Sequence, residues 1–288
     1  MNLTRALWQF GEPVHAVTYY APERREATDA LGLKGGWMSY FGCRAAPLGA
    51  VEAPVVAALF FNFKPAMVAR SLPDAWTFAS PAQLLDARRE SMDRALRRVL
   101  GDDAVRSTEV ARAADLGAAA VEGADMTGRA LGAANQAVAT AGDEAHVRLW
   151  QALTAIREHR GDGHVHALVT AGITPAHALV LQSATGRSPE DGLRANRGWD
   201  DDDWQRAAAE LADRGLVDGE GRITDEGRAV RQRIEDDTDR LARPVVDALG
   251  AERTEELVGL LRPLATAVMD AGAVPPHNNM GVPWPPPA

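Results

Sequence analysis

The densest cluster of chemically capable side chains is Arg157-Glu158-His159-Arg160-Gly161-Asp162-Gly163-His164-Val165-His166. It follows an apolar stripe at Leu149, Leu153 and Ile156, and helical spacing carries that stripe onto Arg160 and His164. Buried charges must be paired or they are costly. Three chemistries fit. The first is a buried Arg–Asp–His network that only fixes packing. The second is a pocket in which Arg157 or Arg160 grips a carboxylate or phosphate bidentately, with His159 and His164 as polar contacts. The third is acid–base catalysis, with Asp162 orienting His164. His159, Asp162 and His166 also fall at i, i+3 and i+7, a spacing that suits a metal, but the intervening glycines spoil the helix. No metal or cofactor is assigned.

A second cluster surrounds Arg44. Trp37, Tyr40 and Phe41 precede it; Phe60, Phe61, Asn62 and Phe63 follow. Aromatics with one Arg and one Asn suit a pocket with few polar groups, and equally a core with a capping Arg. Arg44 and Asn62 join the ligand-binding candidates. Cys43 beside Arg44 is expected to be a buried, inert thiol rather than an activated one. His15, near Tyr19 and Tyr20, is a weaker pocket candidate; His146, His177 and His277 read as surface residues.

The elements that must position these groups are mainly α-helical. Ser80 and Pro81 open a helix to Leu100, closed by Gly101. Pro54–Phe63 reads as a buried helix and Ala66–Leu72 as a short one. Residues 102–142, rich in Ala and Gly, read as two thin helices bridging the halves. Leu7-Trp8-Gln9 is echoed by Leu149-Trp150-Gln151, at unequal distances from a following His, so a degenerate repeat is the less favoured reading. The expected organisation is a helical region at 1–145, a second domain at 146–272 and an extended Pro-rich tail at 273–288, with Trp284 as an anchor.

Within the second domain, Thr174-Pro175 and Ser188-Pro189 open two short helices, and the Asp200–Asp203 run opens a third bearing Trp204, Ala207, Ala208 and Leu211. Leu216-Val217 and Ile223-Thr224 flank a Gly-containing turn and suggest one short β-hairpin. That order is the winged-helix order, and the segment from Arg214 to Arg228 resembles MarR-type regulators. The expected fold is therefore a helical N-terminal region plus a C-terminal winged-helix domain. The resemblance implies a third helix that reads the major groove by its N-terminal end, here Asp200 to Asp203. Four carboxylates facing phosphates make DNA an unlikely partner by this route.

Over nearly the full chain, R-A-A-P-L-G, N-F-x-P, L-P-D-A-W, R-E-H-R-G-D-G-H, R-G-W and G-A-x-P-P-x-N resemble a family of actinobacterial helix-turn-helix proteins. The resemblance marks Arg44, Asn62, Arg157, His159, Arg160, Asp162 and His164 as motif residues and implies no particular reaction. Asn278-Asn279-Met280-Gly281 departs from that family's Asn-Pro.

Composition agrees. A formal net charge of -9 shows no overall nucleic-acid footprint, and one cysteine excludes an internal disulfide or a Cys-based zinc site. No secretory leader or membrane span is evident, so a cytoplasmic protein is expected. The expected function is small-molecule binding, as a ligand sensor or a sequestering protein. The alternatives are an enzyme of specialised metabolism using the His/Asp/Arg pocket and a MarR-like regulator. Monomer and homodimer are both open, with Thr254–Ala271 able to serve a dimer.

Overall fold

A computed structural model describes residues 2–186, 188–275, 278, 280, 284 and 285. The chain opens with α1 (Leu3–Tyr20), α2 (Pro22–Ala30) and α3 (Gly35–Ala45), then the short α4 (Ala53–Phe60), α5 (Pro65–Ala69) and α6 (Ala75–Phe78). Next come α7 (Pro81–Leu100), α8 (Asp102–Val105), α9 (Thr108–Gly123) and α10 (Ala130–Gln136). The long α11 (Ala145–Thr170) leads into α12 (Pro175–Ala184), α13 (Glu190–Ala195) and α14 (Asp201–Asp213), and α15 (Asp225–Leu249) and α16 (Ala251–Asp270) close the fold.

Local chemistry sets several boundaries. Ser80 and Gln83 form a capping box at α7, and Gly101 ends it at φ 86°. Asp200 and Asp203 form another at α14, where two further carboxylates in the first turn, Asp201 and Asp202, complement the helix dipole. α11 runs unbroken through Gly161 and Gly163. A Cβ at Gly163 would approach the Leu241 Cβ to 3.1 Å, so α15 packs close there. α4 is only half-buried, with Val55 46% exposed, and the chain leaves the helix at Phe61 instead of continuing to Phe63.

Three apolar cores result. The first joins Leu7 and Phe10 of α1 to Met92, Leu116, Trp150 and Leu261, with Trp284 of the tail against it. Phe10 and Trp284 meet edge to face. The second gathers Phe41, Phe60, Phe63, Leu72 and Leu84. The third holds α12–α14 together through Leu179, Leu193, Trp204 and Leu211, and takes Ala167 and Leu168 from the end of α11.

Two expectations are corrected. The Ala/Gly-rich stretch is no loose bridge. α9 lies in the first core, where its small residues allow close approach: a Cβ on Gly117 would sit 3.1 Å from the Ala152 Cβ. The winged-helix hairpin is also absent. Among the described residues there is no β-strand, and the fold is all-α. Val217 and Ile223 make one isolated antiparallel bridge. The reason is length. Asp218 Oδ1 accepts from the Glu220 and Arg222 amides and tightens the turn, while Thr224 already caps α15, leaving two residues on each side. No single helix among the described residues is long and apolar enough to cross a membrane.

Candidate functional site

α1, α2, α3, α7, α10 and α11 meet around a cavity with about 340 Å³ of space between atoms, its open mouth included. The freely accessible part is small, with room for on the order of one or two waters. Many of its lining residues are polar or charged, although much of the surface they turn to the space is apolar. His15, Tyr19, Tyr40, Arg44, Thr154 and Glu158 line it, together with Arg24, Arg88 and Asn135.

Glu158 dominates the electrostatics. It takes Arg44 Nε at 2.8 Å and Nη2 at 2.9 Å, and Arg157 Nη1 at 2.8 Å. Burial alone would raise its pKa, yet Arg157 and Arg44 hold the carboxyl well below the usual carboxylate range. Arg44 also lies 3.9 Å over the Phe60 ring and donates to the Tyr40 hydroxyl. Thr154 donates its hydroxyl proton to Trp150 O, so it accepts from His15 Nδ1 at 2.9 Å. His15 Nε2 is then the acceptor for the Tyr19 hydroxyl at 3.0 Å. This tautomer, assigned from the network, is neutral. Burial and the nearby Arg157 push the His15 pKa well below its ordinary value.

A second cavity, with about 370 Å³ of space between atoms including its open mouth, lies between α1, α11 and α15. Trp8, Glu12, Arg157 and Arg160 provide its polar edge and Leu153 and Val245 part of its apolar wall. Arg160 stacks 5.0 Å over Trp8 and pairs with Asp239 at 2.7 Å; Arg5 and Asn2 hold the same carboxylate. Arg157, paired to Glu158 and 3.5 Å from Glu12, separates the two cavities.

The sequence candidates therefore disperse. Arg44 lines the first cavity; Arg157 and Arg160 line the second. His159 is buried and faces Asp125 O. Asp162 accepts from the Gly132 amide at 3.0 Å, while His164 Nδ1 meets the Thr238 hydroxyl at 2.9 Å. Asp162 does not orient His164, because residues two apart project about 200° apart on a helix. His166 pairs with Arg129. His159, Asp162 and His166 thus take separate partners, and no group of three metal-capable side chains converges among the described residues. The Asn62 backbone carbonyl accepts from Trp199 Nε1, and Asn62 lines neither cavity. Cys43 is buried, and its thiol pKa is raised by burial despite the neighbouring Arg24 and Arg88.

Two histidines expected at the surface are buried. His146 reaches Asp93, and His177 completes the capping box of α12 and reaches Glu210. His277 lies outside the described residues.

Glu158, Arg88, Thr154 and Asn135 were missed by sequence reasoning. Arg88 had a signal: it sits on the apolar stripe of α7 between Leu84 and Met92, as Arg160 sits on that of α11. Glu158 was quoted within its cluster but given no role, since its partner Arg44 is 114 residues away.

Asp162 gives a pH prediction. Burial raises its pKa from 3.8 to about 6. The folded state therefore holds a proton that the unfolded state releases between these values, and stability from this group falls as pH rises through that window. Asp162→Asn keeps an acceptor for Gly132 and loses that dependence. In urea titrations the variant should gain on the wild type from pH 4 to pH 7; a constant difference would show that Asp162 titrates normally.

The amino end of α14 is partly neutralised, although Asp200 and Asp201 stay largely exposed. Lys64 Nζ binds Asp200 at 2.7 Å and also Asp203, and its amide donates to Arg197 O. Arg197 lies 4.6 Å over Phe63, and Arg194 pairs with Asp201. Lys64 thus ties the segment between α4 and α5 to the first turn of α14, the end that a groove-reading helix would present.

A family model described as a helix-turn-helix family matches residues 4–275. No curated protein and no solved structure matches the chain.

Proposed function

We propose, given that this chain belongs to a helix-turn-helix family, that it binds a small molecule in the cavity walled by Tyr40, Arg44, Thr154 and Glu158, as a ligand sensor or a sequestering protein. The observation that carries this reading is a cavity lined by charged and polar side chains, among them Arg24 and Arg88, which pair with no carboxylate among the described residues. Such walls cost stability unless something polar fills them. DNA is the partner that a helix-turn-helix name implies. In this reading it does not engage the end of α14, where Asp200–Asp203 would meet phosphate and Lys64 already occupies two carboxylates. A regulator reading keeps one support, the exposed Gln205, Arg206 and Glu210 along α14.

Two measurements separate these. A compound that fills the cavity raises the melting temperature by mass action, and Arg44→Met, compared with its own ligand-free form, abolishes that gain. An unchanged gain would place the ligand elsewhere. A regulator would retard duplex DNA with steep salt dependence; no retardation at low salt removes that reading.

A further inference from the structure

Resting on the ligand-binding reading above, we infer that the cavity takes a small carboxylate bearing a hydroxyl, held by Arg88 and Arg24 and read at its hydroxyl by Asn135. Three arginines line the cavity, and Glu158 neutralises only Arg44 among them. Arg88 is 5% exposed. Of its five N–H groups, one finds an acceptor, the Cys43 carbonyl at 3.1 Å. No carboxylate among the described residues lies within ion-pair reach of it.

Arg88 rests instead against Trp150, its guanidinium 5.2 Å from the ring centre. Burial lowers its pKa, so the nearby Glu158 does not make good the lost hydration. Arg24 is half-buried: it donates to Ser39 and to Tyr19 O, its Nε is buried without a partner, and no carboxylate pairs with it among the described residues.

Two guanidinium groups without counter-charge at one cavity, Arg88 buried and Arg24 half-buried, call for an anion. The neutral His15 adds no competing cation. Asn135 sets the second requirement. It is 2% exposed and donates to Leu131 O, and its Oδ1 is buried without a donor. A ligand hydroxyl would satisfy it. The free space holds only about one or two waters, so the ligand is kept to a few heavy atoms and the side chains around it give way to take it in.

The test uses glycolate, acetate, neutral glycolamide and inorganic phosphate at constant ionic strength, with melting temperature as the readout. Glycolate should stabilise the wild type by several degrees, acetate by less and glycolamide not at all. Arg88→Met should melt no lower than the wild type without ligand, because a buried unpaired cation is gone, and should lose the glycolate response. Asn135→Leu should bring glycolate down to the acetate level.

Glycolamide stabilising as well as glycolate, with the gain lost in Arg44→Met, overturns the anion while the cavity reading stands. Phosphate alone stabilising overturns the carboxylate. An Arg88→Met variant that melts well below the wild type yet still responds to glycolate makes Arg88 a packing residue. No response to any of the four overturns this ligand class. The wider reading fails separately, when compounds of every charge leave the wild type unmoved.

Discussion

Glu158→Gln should cost roughly 3–5 kcal/mol of folding stability, the range for breaking a buried pair by removing one partner. Glu158 is 1% exposed and accepts three guanidinium hydrogen bonds, two from Arg44 and one from Arg157. Glutamine keeps the shape and one acceptor oxygen but leaves two arginines without their counter-charge. Domains have only about 5–15 kcal/mol in total, so the loss is a large fraction. Urea unfolding measures it, and Glu158→Gln combined with Arg44→Met should recover part of it. A loss below ~1 kcal/mol would mean that water already screens the pair. The sign with pH follows from the depressed carboxyl. Its stabilisation is complete above the unfolded carboxylate pKa and fades as pH falls toward the folded value, so in acid the variant and the wild type should converge.

Gly227→Ala is the second large effect. On a helix, Ala normally replaces Gly with a gain of up to ~1 kcal/mol. Here a Cβ would lie 2.1 Å from the Leu216 carbonyl oxygen and 2.9 Å from Ile223 Cγ1. The first obstacle is backbone, and that carbonyl is already bound by the Thr224 amide. Overpacking typically costs about 1–3 kcal/mol, and a backbone obstacle puts this substitution at or above the upper end. The damage should be local. Amide exchange at Leu211 and Leu216, in the third core, should accelerate while exchange at Trp150, in the first core, stays slow. A variant as stable as the wild type would mean that the Leu216–Thr224 turn can step aside.

The helices were largely legible because their signals are local. Ser80-Pro81, Thr174-Pro175 and the Asp200 run each announce a cap within four residues, and the structure starts α7, α12 and α14 there. The Leu216–Thr224 segment misled because a Gly-turn between apolar pairs fits both a hairpin and a single bridge; the caps on either side decide. The site was harder. Arg160 was found on an apolar stripe, and the same argument would have found Arg88 on α7. What pairs with each arginine was not legible. Glu158 meets Arg44, and Asp239 meets Arg160, only once distant helices pack. The Asp162–His164 pairing failed for the opposite reason: closeness in sequence hid a helical projection that turns the two side chains apart.

α11 has a mechanical consequence. Its 26 residues form one rod, about 39 Å long at 1.5 Å per residue. Thr154 and Glu158 wall the cavity at mid-length, and Ala167 and Leu168 are built into the core of α12–α14. Roughly 18 Å of rigid helix separates Glu158 from its end. A tilt of about 5° at the cavity therefore displaces that end by about 1.5 Å, the scale of the helix shifts that close-packed interfaces convert into discrete rearrangements. The cavity and the three-helix unit are thus geared to one shaft, and neither can turn without the other.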